Sequence, residues 1–401
     1  MVVGAGFAGL SAALALHDAG VSVVVLEARD RVGGRVWSVE LENGAVAELG
    51  GEWIMPHDEV IREISARLGL GLADAGVDYL RREPRGEGAV SLGELDAFLE
   101  AADAYLASLD TPVASLAEAL EAVPGDDRAR GVARARLQGT FAMDLSRVTW
   151  RAGWHAGRLA AEPAVYHRVV SGNQAIARAA ADVLPDVRLG STAWAVAQET
   201  GSVRVIGRER VRASAAVVAV PAPIAGGLDF DPPLAPDQQA AVQELPMGVA
   251  SKLALPLEAD PELLAVQCAD ASFWFWVGKG GRGEVRPVVT SFAGSERVQE
   301  SLGTASGDPG AWVRRIAALA PELRLGAPAT MKVWASDELA RGAYSAWDAR
   351  SVDRGDLFAR MHGAVAFAGE HTAGDHAGTM EGALRSGRRA AADVLELLGR
   401  A

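Results

Sequence analysis

The chain has 401 residues, 49% of them hydrophobic and 23% charged, and its formal net charge is −13. That length gives material for about two domains, and the acidic balance excludes the basic face that nucleic acid or an anionic membrane requires. Cys268 is the single cysteine, which excludes an internal disulfide and a thiolate metal cluster, and no apolar run nears the roughly 20 residues that cross a bilayer.

Only Met1, Val2 and Val3 precede the first glycine, so the chain is expected to begin inside a strand, whose usual length is about 5 residues. No basic-then-apolar leader stands before it, and a cytoplasmic protein is the expectation. Residues 4–9 read GAGFAG, with Phe7 and Ala8 between Gly6 and Gly9. A small apolar helix follows, Gly20 stops it, and Val21 to Leu26 form a β-branched run suited to a buried parallel strand that ends at Glu27. Strand, glycine turn, helix, strand and terminal acid in register make a dinucleotide-binding βαβ unit. Gly4, Gly6 and Gly9 allow a tight turn, close approach of backbone to a pyrophosphate, and helix–strand contact, while Glu27 accepts from ribose hydroxyls. Then come Ala28, Arg29, Gly33, Gly34 and Arg35, and further on Gly50, Gly51, Glu52 and Trp53. A nicotinamide-binding unit has no use for that second glycine pair and two arginines.

Residues 57–69, 91–109 and 115–123 place apolar residues at helical spacing, and Ser115 with Glu118 has the pattern of a capping box. Period-two patterning returns over 187–213 and passes into the buried run Ala215–Val220, which Pro221 stops. Lys252 opens an apolar strand, where an unpaired ammonium is costly. It is expected to be paired or used there, or to snorkel to solvent at a strand edge. Residues 271–294 read as a hairpin around a glycine-rich turn, with Phe273 and Phe275 on one face and Trp274 and Trp276 on the other. One pair lines an aromatic pocket, or both pack the core. A helix over 308–323 has Asp308 as cap and Pro309 at its first position.

Near the C-terminus a buried strand leads to Gly369 and Glu370, and HAGTMEGALRSG (376–387) reads as a helix whose first turn has little side-chain bulk. Glycine inside a helix costs about 1 kcal/mol relative to alanine. Either a flat ligand lies on the free N–H groups of that turn, or two backbones pack closely.

The segment 28–53, the strand ending VPAP (220–223), Lys252, VWASDELARGAYSAW (333–347) and 365–391 follow one another as they do in the flavin-containing amine oxidases. The chain resembles that family, which includes monoamine, polyamine and L-amino-acid oxidases, over nearly its whole length. The resemblance implies an α/β fold with a discontinuous Rossmann-type FAD-binding domain (1–56, 166–245 and 333–401) and a mixed sheet-plus-helices substrate domain (57–165 and 246–332). It implies FAD, with Arg29, Gly33, Gly34, Arg35, Gly50, Gly51, Glu52 and Trp53 along the pyrophosphate and ribityl chain. Ala193 would offer backbone groups to the adenine, and Trp334 would pack near the flavin. Gly369 and Glu370 would meet the ribityl or pyrophosphate, and Thr379, Met380 and Ala383 would begin the helix whose N-terminus points at the N1–C2=O edge. There a helix N-terminus stabilises the negative charge that hydride transfer leaves. Lys252 would hold a water near flavin N5, where a cation stabilises charge developing on oxygen.

This sequence departs from the family in three places. Ala343 stands where monoamine oxidases carry the cysteine that links FAD, which implies a non-covalent flavin. Tyr344 keeps one wall of the amine cage, but Thr379 replaces the second tyrosine. Trp53-Ile54-Met55-Pro56 lacks the arginine with which L-amino-acid oxidases clamp a carboxylate. The expected activity is therefore an amine oxidase that moves a hydride from the amine α-carbon to flavin N5 and reduces oxygen to hydrogen peroxide. Lys252, Tyr344 and Thr379 would be catalytic, with no metal, and a homodimer is allowed for. The rivals are an L-amino-acid oxidase that draws Arg341 or Arg147 into the pocket, a desaturase or isomerase, and a flavin-stabilised scaffold.

Overall fold

The computed structural model describes residues 1–109, 113–150, 164–259 and 261–400. Its parallel sheet has the spatial order Val365–Phe367, Ala216–Val218, Val2–Val3, Val25–Leu26 and Val187–Arg188, so segments from both ends of the chain meet at its centre. All its ladders are parallel, which accounts for the unbroken apolar runs, because such a sheet is covered on both faces. Val2, Val25 and Val217 pack under the helices Phe7–Asp18, Gln174–Val183 and Met380–Leu397. Val3, Leu26 and Val218 face the meander Ala193–Glu199, Ser202–Gly207 and Arg210–Ala213. The strand expected over 21–26 narrows to Val25–Leu26, since its neighbours Val2–Val3 and Val187–Arg188 are only two residues long.

A second sheet has the order Thr330–Val333, Ala250–Pro256, Val288–Gly294, Phe273–Val277, Leu264–Cys268 and Glu83–Arg85. The expected hairpin is present, and its two faces separate as period two requires. Phe273 and Phe275 join Trp312 and Ile316 in one core, while Trp274 and Trp276 gather Trp53 and Tyr79 on the other face. The helices Leu92–Ala107, Leu116–Ala122 and Asp127–Phe141 form a third core beside this sheet.

Two caps differ from expectation. Ser115 accepts the Glu118 N–H at 3.2 Å, but the Glu118 carboxylate takes the N–H of Ala114, so the box is half formed. The helix expected from Pro309 begins at Gly310, whose N–H donates to Asp308 at 2.8 Å.

The glycines of the C-terminal helix answer to backbone packing. A Cβ at Gly387 would fall 2.2 Å from the Ala8 carbonyl oxygen on the first helix, and one at Gly382 would fall 2.0 Å from that of His376. The close approach of two backbones, rather than a ligand, demands small residues at these two positions.

Candidate active site

Beyond the C-terminal ends of the parallel strands lies a cavity of about 1260 Å³, counted out to its open mouth. Ligands of open α/β sheets sit at this edge. The wall includes Gly4, Gly6, Phe7, Ala8, Glu27, Ala28 and Arg29 from the first βαβ unit, then Gly33, Gly34, Arg35 and Gly51. Ala193, Tyr344, Gly369, Glu370, Thr379, Met380 and Ala383 complete the sequence-expected members. Ser191, Thr192, Pro221, Ile224 and Leu339 also line it; Pro221 and Leu339 fall within the VPAP and VWASDELARGAYSAW stretches, and no motif marks the other three. Gly9, Gly50, Glu52, Trp53, Lys252 and Trp334 are not part of this wall and stand elsewhere, as described below.

The glycine turn works through shape. Gly4 holds φ +103°, and a Cβ there would press to 2.9 Å from the Ala219 carbonyl oxygen. A Cβ on Gly9 would lie 1.9 Å from the Gly4 carbonyl oxygen, whereas one on Gly6 would meet nothing within 4 Å. Gly9 therefore serves the turn from inside, and Gly6 keeps the cavity open. Gly6 is also the N-cap of the Phe7–Asp18 helix, which has neither a side-chain cap nor an acid in its first turn. Such an end attracts an anion.

Glu27 is buried, and its oxygens accept the N–H groups of Ala5 (2.7 Å) and Arg29 (2.9 Å). Burial raises its pKa against these bonds and the neighbouring arginines. Each carboxylate oxygen keeps a lone pair for a further donor.

The two arginines expected to face phosphate are already engaged. Arg29 is bidentate to Asp337 (2.5 and 3.2 Å), and Asp337 also accepts from Lys332. Burial would raise Asp337, but those cations outweigh it and hold it down to about 2. Arg35 donates to Glu370 at 2.7 Å and to the Ala343 carbonyl at 2.9 Å. Glu370 additionally accepts from the Ser345 hydroxyl and from the N–H of Gly378, so it ties the approach to the C-terminal helix. Thr379 caps that helix by accepting the Gly382 N–H at 2.9 Å.

Lys252 is paired, not snorkelling. It is 4% exposed, and its Nζ donates to Glu52 Oε2 at 2.6 Å and to the Gly50 carbonyl at 3.1 Å. Burial would raise Glu52, but Lys252, Arg286 and Arg168 outweigh it and hold it below the usual carboxylate range. Trp334 Nε1 donates to the Leu49 carbonyl at 2.8 Å. Lys252 and Trp334 thus grip the Leu49–Gly50 backbone immediately before Gly51, which does line the cavity.

Tyr344 leads from the cavity toward the aromatic side. Its hydroxyl donates to the Thr140 carbonyl at 2.7 Å, and burial, then the neighbouring Tyr79, push its pKa well up. Trp53 stacks on Trp274 at 5.7 Å, and Trp274 on Trp276 at 4.1 Å. Arg147 pairs with Glu296 on the surface and Arg341 is exposed, so neither enters the pocket. Among the described residues no group of three or more metal-ligating side chains occurs, and no helix is long and apolar enough to cross a membrane.

A family model described as flavin containing amine oxidoreductase matches residues 7–395. The putrescine oxidase of Kocuria rosea is 28% identical over 98% of this chain and 94% of its own length. Polyamine oxidase 3 of Oryza sativa subsp. japonica is 27% identical, covering 98% of this chain and 88% of its own. A solved structure of wild-type putrescine oxidase bound to putrescine superposes with a TM-score of 0.84 at 23% identity, covering 98% of each chain. That superposition establishes the fold.

Proposed function

The chain belongs to the flavin-containing amine oxidoreductase family and depends on FAD, and on that premise we propose that it is an oxidase, passing the electron pair of an amine to dioxygen. The cavity carries this reading: one wall combines an uncapped helix N-terminus, the acid that ends the second strand and the Thr379 helix start. These residues fit FAD. Phe7 and Ala8 would hold the pyrophosphate through backbone N–H groups, and Glu27 would accept from the ribose. Ala193 would offer backbone groups to the adenine, and Thr379 and Met380 would meet the electron-accepting edge of the ring. Arg29 and Arg35, balanced by Asp337 and Glu370, would add donors rather than full counter-charges.

Ala343 offers no nucleophile for a covalent link, so FAD would be held non-covalently by these residues, and it would supply the hydride acceptor and the route of the electrons to dioxygen, with hydrogen peroxide as product. Tyr344 would form a wall beside the amine; its hydroxyl is tied to Thr140, and burial keeps it protonated, so it moves no proton at neutral pH. The amine would give up its hydride as the neutral base, and the imine would hydrolyse to a carbonyl compound and ammonia or a smaller amine. Lys252 has used two of its three N–H groups on Glu52 and Gly50; the third would hold the water expected at the oxygen-reacting side. The cytoplasmic setting and the division into an FAD-binding domain (1–56, 166–245, 333–401) and a substrate domain (57–165, 246–332) belong to the same reading. A cation-held water of this kind favours reaction with oxygen over a desaturase, an isomerase or a scaffold. The test is stoichiometry under air: one hydrogen peroxide per carbonyl product is expected, and carbonyl product without peroxide would overturn the oxidase.

A further inference from the structure

A second cavity shares no wall residue with the one at the strand ends. It encloses about 1200 Å³, counted out to its open mouth, with walls from the helices Asp127–Phe141, Glu296–Ser301 and Gly310–Leu319 and from residues 269–273. Four arginines stand in that wall: Arg128 and Arg134 on the first helix, Arg297 on the second and Arg315 on the third. Only two carboxylates, Glu87 and Asp270, stand with them. On a chain whose net charge is −13, a recess with that excess of cations is a local inversion of the protein's field, and such a recess concentrates anions.

Three of the four guanidiniums are free to turn to a ligand. Arg297 is exposed and forms no ion pair among the described residues. Arg128 lies 3.6 Å from an Asp126 oxygen that already accepts the N–H groups of Arg128 and Ala129 at the helix start. Arg134 meets Glu121 at 3.1 Å, and both side chains are exposed, so that pair holds weakly in water. Only Arg315 is committed, its Nη2 donating to both oxygens of Asp270 at 2.9 Å. The rest of the wall suits an organic body rather than a bare ion. Val132, Val298 and Leu302 give it apolar surface. Gln138, only 8% exposed, lines it and makes no side-chain hydrogen bond among the described residues, which leaves its amide to a ligand. Gly131 also lines it, inside a helix where glycine is costly. A Cβ there would meet nothing within 4 Å, so no backbone demands this glycine as one does Gly382 and Gly387.

We propose that this second cavity binds a small organic phosphate monoester, the phosphate among Arg128, Arg134 and Arg297 and the organic body on Val132, Val298 and Leu302. The wall's arginines outnumber its carboxylates by two, which matches the roughly −1.5 to −2 charge of a phosphate monoester at neutral pH. Its three terminal oxygens accept from planar guanidinium forks in pairs. A monocarboxylate would leave the excess half balanced, and an inorganic ion would leave the apolar wall unused. The site is separate from the flavin cavity, and the proposal does not rest on the oxidase reading.

Calorimetric titration of the FAD-loaded holoenzyme tests it, in about 0.15 M sodium chloride, where exposed charges are screened beyond about 8 Å. The probes are phenyl phosphate, inorganic phosphate, phthalate and benzoate. Phenyl phosphate is expected to bind once per chain, more tightly than phthalate and at least about 10-fold more tightly than inorganic phosphate or benzoate. Arg297→Glu breaks no ion pair among the described residues and is expected to weaken phenyl phosphate by at least about 10-fold, and Arg297→Lys by less. Arg210→Glu makes the same charge change on an exposed residue outside both cavities, and its effect is expected to stay within about 2-fold. Unchanged flavin content and melting temperature would show that the variants are folded. Four results would each overturn the proposal: no binding of phenyl phosphate, equal affinity for inorganic phosphate, a preference for phthalate, or equal losses in Arg297→Glu and Arg210→Glu. None of them passes through turnover, so each would leave the oxidase reading as it stands.

Discussion

Charge is handled differently on the two sides of Tyr344. Around the cavity at the strand ends, four cations are paired: Arg29 and Lys332 on Asp337, Arg35 on Glu370, Lys252 on Glu52. Beyond Tyr344, Arg82 and Arg136 are buried, and among the described residues neither is ion-paired; one nitrogen of each has no hydrogen-bond partner. The first region pairs its cations internally and leaves to a ligand the uncapped helix N-terminus and the Glu27 oxygens. The second keeps buried guanidinium N–H groups without a partner, at a cost in stability.

The most drastic way to break this picture is Gly9→Val. Because a Cβ there lies 1.9 Å from the Gly4 carbonyl oxygen, the variant is expected to be isolated without a visible flavin band; normal flavin content would refute the turn's role. Next in size is Glu52→Gln, which strands Lys252 in the interior. Breaking a buried pair costs about 3–5 kcal/mol, read as a loss of urea stability. The double variant Glu52→Gln/Lys252→Met is expected to recover much of that loss.

His371 tests the cavity side by pH. Burial, opposed by Glu370, lowers its pKa from 6.5 to about 4, and its Nδ1 has no partner. The neutral ring is favoured in the folded state, so its contribution is complete above pH 6.5 and is lost as pH falls toward about 4. The loss amounts to about 3 kcal/mol by linkage. His371→Phe is expected to flatten the stability profile in that window, and an unchanged slope would refute the assignment. The smallest effect sharpens the comparison most. Arg136→Met removes an uncompensated charge and is expected to raise stability by about 1–2 kcal/mol, whereas Arg29→Met uncouples Asp337 and is expected to lower it. Two losses of similar size would mean that the sides are alike.

The nucleotide side was legible because backbone geometry imposes residue types at fixed spacing: Gly4 and Gly9 admit no Cβ, and Glu27 must end a strand. The facing of Phe273 and Phe275 against Trp274 and Trp276 followed from period two alone. Partners were not legible. That Arg29 meets Asp337 or Lys252 meets Glu52 depends on contacts across 308 and 200 residues of sequence, which no local pattern records. Arg82 precedes the strand Glu83–Arg85 and Arg136 lies on the helix Asp127–Phe141, and no local pattern marks either as buried. The small residues of the C-terminal helix were read partly for the wrong reason, since Gly382 and Gly387 answer to backbone contact rather than to a ligand.

Anaerobic mixing of the purified yellow protein with amines and amino acids, followed by admission of air, tests the central claim most directly. The account predicts bleaching of the flavin band by at least one amine-bearing compound, with recovery in air and release of hydrogen peroxide. A flavin band that dithionite bleaches but no amine or amino acid does would contradict it.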